Sequence, residues 1–252
     1  MPQLQYITPN WSAPPNVRAL TTTRTGGASG GRYESFNLGD HVGDDPNAVQ
    51  HNRALLREAL NLPAEPLWLK QVHGTNVVDA ASAPAGVTAD GAWTDTPGVV
   101  LAVLTADCLP VFLCDRAGTR IALLHAGWRG LAAGVIEAGV ARLGGADADL
   151  LAWLGPAIGP DFYEVGEEVR AAFVGRDAAA AAAFRPNGPG RWCADMYELA
   201  SQRLRALGVR EVHGGQYCTL RERGRFFSYR RDGQCGRMAS LLWLTHDKVS
   251  RG

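Results

Sequence analysis

Three apolar runs follow one another with too little chain between them to form helices: Val99–Leu104, Leu109–Cys114 and Arg120–His125. Short apolar runs bounded by turn signals are strands covered on both faces. Asp115-Arg116-Ala117-Gly118 separates the last two runs with turn chemistry, so they form a β-hairpin. A sheet covered on both faces needs further layers, which places helices outside the sheets. A turn centred between Arg116 and Ala117 pairs Leu113 with Arg120 and Cys108 with His125. Directly opposed residues have Cβ atoms about 4.5–5.5 Å apart, so one metal ion or one proton can bridge such a pair. A bulge near Pro110 would shift this register by one residue.

The remaining chain fits an α/β (α+β) class. VRALTTTRTGGASGGRYESFNLGDHVGDD begins as a strand and becomes a glycine-rich loop. DPNAVQHNRALLREALNL predicts a helix capped by Asp45, with Pro46 early and Val49, Leu55, Leu56 and Leu60 near one face. PLWLKQVHGTNVVDA reads as two strands broken at Gly74, and LLAWLGPAIGP as a further buried strand. WRGLAAGVIEAGVARLGG predicts one amphipathic helix carrying Leu131, Val135 and Leu143. EVGEEVRAAFVGRDAAAAAAF reads as helix, its alanine run suiting an exposed helix that packs little; CADMYELASQRLRALGV is another helix, closed by Gly208. The end of the chain reads as strand, polar loop, strand. Without a repeat or linker, residues 1–252 are expected to form a single domain.

Composition excludes more than it selects. Twenty-five basic and twenty-five acidic residues cancel, giving no reason to expect a nucleic-acid or anionic-membrane partner. The N-terminal residues lack a basic segment followed by an apolar one, and no apolar stretch is long enough to span a bilayer. The five cysteines, at 108, 114, 193, 218 and 235, have no CxxC spacing. In a chain this long they suit a reduced, cytoplasmic protein better than a disulfide scaffold.

Three residues stand where a strand pattern meets a glycine, a proline or a polar residue: His73 in KQVHG, Cys108 in TADCLP and His125 in LLHAGWRG. Strand ends are where side chains can leave a core and converge on a cleft. One thiolate and two imidazoles make a zinc set with an open fourth position. The same set suits a blue-copper site with a weak axial methionine, for which Met196 and Met238 are the candidates. Taken singly, such a cysteine is usually a small core hydrophobe and such a histidine a structural one. His41, His51, His213 and His246 are read as surface or structural, and Cys114, Cys193, Cys218 and Cys235 as packing. TRTGGASGGR lacks the P-loop pattern and reads as a flexible loop. FFSYRRDGQCGR offers Arg230, Arg231 and Arg237 to a phosphate or carboxylate, although an exposed turn is the simpler reading.

SFNLGDHVGDDPNAVQHNR, QVHGTNVV, TADCLPV, HAGWRGLAAGV, GPAIGPDFYEVGEEV and FFSYRRDGQCGR together resemble the bacterial YfiH/YlmD-like family. That family carries the labels multicopper polyphenol oxidase or laccase domain, purine nucleoside phosphorylase and peptidoglycan editing factor. The resemblance covers nearly the whole chain. It implies a single-domain four-layer α/β/β/α sandwich with mixed sheets, and a zinc site at His73, Cys108 and His125. It also implies phosphorolysis of adenosine, inosine and methylthioadenosine, together with adenosine deamination. This chain departs from the family at Cys235, where threonine is usual, and at Asp161-Phe162, where cysteine is frequent. Six histidines are too few for several coppers, so one mononuclear site is what the chain can support. The zinc-deaminase signature H-x-E…P-C-x-x-C is absent.

The leading expectation is metal-assisted chemistry on a purine nucleoside. Arg53 and Arg231 are the phosphate candidates, Asn37 the substrate hydrogen-bonder and Asp107 the general acid/base. A second enzyme reading makes Cys108 a nucleophile activated by His125, giving amide hydrolysis of peptidoglycan precursors. Copper-dependent polyphenol oxidation is a third reading, and a non-catalytic metal-binding partner protein a fourth.

Overall fold

The computed structural model describes residues 4–145 and 148–246. A four-stranded antiparallel sheet combines β1 (Tyr6–Ile7), β2 (Val17–Thr22), β5 (Val100–Thr105) and β13 (Met238–Leu244), in the order β1-β2-β13-β5. A six-stranded mixed sheet runs β12-β8-β6-β7-β4-β3. Its strands are β3 (Val77–Asp79), β4 (Gly91–Thr94), β6 (Leu109–Asp115), β7 (Ile121–Ala126), β8 (Leu150–Leu154) and β12 (Glu211–Gly214). A small antiparallel sheet joins β9 (Glu164–Gly166), β10 (Phe184–Pro186) and β11 (Arg191–Ala194). The helices are α1 (Pro46–Leu60), α2 (Trp128–Ala133), α3 (Val135–Arg142), α4 (Glu167–Val174), α5 (Met196–Ala206) and the single turn α6 (Tyr229–Asp232).

Strand alternation explains the unbroken apolar runs. Phe112 and Cys114 of β6, Ile121 and Leu123 of β7, and Leu151 and Trp153 of β8 pack with Leu101, Val103, Met238 and Leu242 of the facing sheet. Their neighbours Val111, Leu113, Ala122, Leu124 and Ala152 turn the other way, against Leu131, Ile136, Val140, Leu199 and Leu204 of the helices. On the far side of the four-stranded sheet, Val100, Ala102, Leu104 and Leu241 pack against Leu56 of α1 and against Phe36 and Leu38. Helix, sheet, sheet and helices therefore form the expected four layers. Each fully buried large side chain contributes about 1.5–3 kcal/mol, so an apolar residue is required on both faces of every central strand.

α1 begins as predicted: Asp45 accepts a hydrogen bond from Asn47 N, Pro46 occupies the first turn, and Val49 and Leu56 are buried. Three predicted elements differ. The segment 128–142 is two helices broken at Gly134 (φ 114), and Arg176 and Arg203 donate to the Ala132 carbonyl that the break exposes. The alanine run leaves the helix after Val174 and restarts as a 3-10 segment, Ala178–Ala183, capped by Asp177. Ala180 and Ala183 are buried, so the run packs rather than faces solvent. The strand expected before Gly74 is reduced to isolated bridges at Leu67 and Lys70.

The hairpin register also differs from the symmetric expectation. Pro110 pairs with His125, Leu113 with Ala122 and Cys114 with Ile121. The Asp115 carboxylate accepts from Thr119 N at 2.7 Å, from Arg120 N at 3.1 Å and from the Thr119 hydroxyl. This draws Thr119 into the loop and moves every pair by two positions, so Cys108 stands just before β6.

Candidate metal centre

Two strand ends and one turn bring the predicted trio together. His125 is the penultimate residue of β7, Cys108 closes the bend between β5 and β6, and His73 lies in the turn before β3. One donor atom from each residue lies within 4.8 Å of the others, with His73 exposed, Cys108 half-buried and His125 buried. Cys108 Sγ is 3.7 Å from His73 Nε2. A tetrahedral zinc with ordinary Zn–S and Zn–N lengths separates such atoms by about 3.5 Å. The residues therefore fit a single metal ion with one side open.

Charge favours the same reading. Burial opposes ionisation of Cys108, but His125 and His73 outweigh it and bring the thiol down to about 6. Burial likewise opposes protonation of His125, yet Cys108 and Asp90 together hold its pKa up to about 9. The thiolate is the form a metal requires, and His125 gives up its ring proton when a metal binds.

Two glycines keep the space clear. A Cβ at Gly127 would lie 2.5 Å from Cδ2 of His73 and 3.1 Å from Sγ of Cys108, and one at Gly130 would lie 2.8 Å from Gly74 O. The HAGWRG run thus sets α2 tightly against the His73 turn.

The sequence does not single out Asp90. Its carboxylate is fully buried and accepts from His125 Nδ1 at 2.8 Å, as well as from the His73 backbone. An aspartate beside a glycine at the start of a buried strand is the only trace of it in the sequence.

The other candidate residues are committed elsewhere. Asn37 is fully buried and binds Gly39, Asp44 and the backbone N–H of Arg237. Arg53 donates twice to Leu38 O, pairs with Asp40 and stacks on Trp68. Arg231 donates to the carbonyls of Thr219, Leu220 and Phe226 and pairs with Asp232. Asp107, beside Cys108, accepts from Thr219 Oγ1 at 2.6 Å and Arg230 N at 2.7 Å, so its carboxylate anchors the Arg230 loop. Arg237 donates to Cys235 O and Gly236 O.

Arg230 differs from these. Its guanidinium makes one hydrogen bond, to Glu164 O, and lies over the Tyr163 ring. Burial raises the Tyr163 pKa, and Cys108 adds to the shift while Arg230 opposes it. The glycine-rich loop is pinned: Ser35 Oγ takes the N–H groups of Gly26 and Gly27, and Asn52 Oδ1 takes that of Ala28. Cys114, Cys193, Cys218 and Cys235 are buried free thiols, and among the described residues the trio is the only such group of potential ligands. No described helix is long and apolar enough to cross a membrane.

Comparison with known proteins places the fold in a family. A purine nucleoside phosphorylase of Pseudomonas aeruginosa is 55% identical over 240 residues, covering 95% of this chain and 98% of its own. The purine nucleoside phosphorylase YfiH of Escherichia coli K12 is 52% identical, with 95% and 99% covered. The crystal structure of Neisseria meningitidis NMB0706 superposes with a TM-score of 0.91 at 50% identity, covering 95% of this chain and 99% of that one. YlmD from Geobacillus stearothermophilus gives 0.84 at 30% identity, with 97% and 99% covered. Residues 18–245 match the family described as multi-copper polyphenol oxidoreductase laccase, and the chain belongs to that family.

Proposed function

We propose that the chain is a zinc-dependent purine nucleoside phosphorylase acting on adenosine, inosine and methylthioadenosine, with adenosine deaminase activity at the same site. The observation that carries this reading is the set of three donors at one point, with Arg230 on the loop whose backbone N–H is held by Asp107, the neighbour of Cys108. The names of the relatives supply the substrate class. A bound zinc would polarise a water or substrate group at the open side of the trio.

The chain's own groups do the rest. Arg230 and Arg129 hold phosphate by charge-assisted hydrogen bonds, alongside Arg53 and Arg231, the candidates read from the sequence. A phosphate oxygen then bonds to ribose C1′ as the C1′–N9 bond breaks, and the bonding pair leaves with the purine, which takes up a proton. In deamination water replaces phosphate as nucleophile: its oxygen bonds to the purine C6, the C6–N6 bond breaks, and the amine leaves as ammonia with a proton from that water. Zinc is favoured over blue copper because Met238 Sδ accepts from Phe227 N and Met196 is buried in the helix-side core.

A second reading has its own observation. Asp90, His125 and Cys108 form an acid–base–nucleophile line, the arrangement that activates a cysteine for amide hydrolysis. Hypoxanthine release from inosine and phosphate separates the two. The phosphorylase reading predicts loss of release on chelation and recovery on adding zinc. Chelator-resistant, alkylation-sensitive cleavage of an amide, with no purine product, would replace it by the hydrolase.

A further inference from the structure

The Asp90 carboxylate has four donors in two groups. Val72 N lies at 3.1 Å, His73 N at 2.8 Å and Gly74 N at 2.6 Å, and Nδ1 of His125 at 2.8 Å. Three successive backbone N–H groups turned on one anion form a nest, which requires a left-handed residue within it. His73 is that residue, at φ 61. The backbone carbonyl of Asp90 also accepts from His125 N at 2.7 Å, so main chain and ring of His125 are both tied to Asp90.

We propose that Asp90 is a positioning residue that sets both histidine donors at once. Its carboxylate holds the 72–74 backbone in the turn that presents His73, and its bond to Nδ1 of His125 leaves Nε2 of that ring for the metal. The inference rests on the metal-dependent reading of the trio. A carboxylate behind a metal-bound imidazole fixes ring and tautomer and raises donor strength. Here the same carboxylate also shapes the second ligand's backbone, so the two donors cannot drift independently. A merely structural nest would need only an anion; it would have no need of the His125 ring.

The test is cobalt(II) titration of full-length wild type and Asp90→Asn, with affinity from chelator competition and the thiolate-to-cobalt absorption band as site signature. Asparagine keeps the shape and one acceptor oxygen but loses the charge. The expected result is affinity weakened about 10–100-fold with an altered band, in a protein that still unfolds cooperatively. Equal affinity and an unchanged band would overturn the assignment. A wild type that binds no cobalt would overturn the metal reading, and this assignment with it. If Asp90→Asn does not fold, imidazole nitrogen NMR of the zinc-loaded wild type decides. A proton retained on Nδ1 of His125 supports the proposal, and one on Nε2 refutes it.

Discussion

Cys108 Sγ stands 3.7 Å from Nε2 of His73, although the two residues are separated by 35 positions and neither lies within a strand. Cys108 also belongs to none of the three apolar core clusters. Site and core are thus separable. Cys108→Ala is expected to lose tight zinc binding while its thermal midpoint without metal stays near wild type, a change within about 1 kcal/mol. Zinc in hundredfold excess over Kd should stabilise wild type by about 2.7 kcal/mol and leave the variant unmoved. Metal content and thermal midpoint, measured together, check this; full zinc occupancy in the variant removes Cys108 from the ligand set.

The cysteines should separate by pH. In metal-free protein, the histidines bring the Cys108 thiol down to about 6, whereas burial and then Asp115 push Cys114 up to about 12. Thiolate is the species that alkylates, and it is populated above the pKa. Iodoacetamide should therefore modify Cys108 with a rate that rises through about pH 6 and is flat by pH 8, while Cys114 stays inert. Zinc should protect Cys108. A rate still rising steeply at pH 9, read by peptide mass spectrometry, would show an ordinary thiol.

Gly127 offers a sharper probe of the cluster's shape. Its φ of −64 and ψ of 156 suit alanine, so the backbone does not resist the change. The new Cβ would nonetheless lie 2.5 Å from Cδ2 of His73, forcing that exposed ring aside. Gly127→Ala should weaken metal binding at least tenfold. Its stability should be unchanged or raised by up to about 1 kcal/mol, because alanine restricts the unfolded chain. Unaltered affinity in a competition titration would mean that His73 is not held where the metal needs it.

What could be read from the sequence follows from how local each signal is. The runs 99–104 and 109–125 announced strands buried on both faces, and the trio was visible because strand patterns ended at His73, Cys108 and His125. The register was not, because a carboxylate bond from Asp115 to Thr119 enlarges the loop by two residues. The symmetric turn had paired Cys108 with His125 directly; the structure brings them together from the ends of the strands instead. The surroundings of the arginines were hidden for a different reason. What occupies Arg231 is a set of carbonyls at 219, 220 and 226, and nothing in residue type tells a guanidinium bound to carbonyls from one facing a ligand. Asp90 was hidden likewise, since its partners lie 16 to 18 and 35 residues away.

That difference among the arginines can be measured as stability. Arg231→Ala leaves three carbonyls without their donor and should cost about 1–3 kcal/mol. Arg230→Ala removes one bond to Glu164 O from an exposed side chain and should unfold within about 0.5 kcal/mol of wild type. Chemical denaturation of the two variants gives the comparison directly. Equal losses would place Arg230 in the scaffold.

The same arginine separates the two nucleoside reactions. Phosphorolysis uses phosphate as nucleophile, so adenine should appear from adenosine only when phosphate is supplied. Deamination uses water, so inosine formation should not depend on phosphate. If Arg230 holds the anion, Arg230→Ala should raise the phosphate KM tenfold or more, or abolish adenine release, at nearly unchanged stability. Inosine formation should suffer less, because water carries no charge for a guanidinium to bind. Arg129→Ala should behave in the same way if the two side chains grip one phosphate. Chromatography of adenosine reactions with and without phosphate, for wild type and each variant, resolves the products. Parallel loss of adenine and inosine in Arg230→Ala would assign this side chain to the nucleoside rather than to phosphate. An unchanged phosphate KM in both variants would remove this edge of the site from phosphate binding altogether.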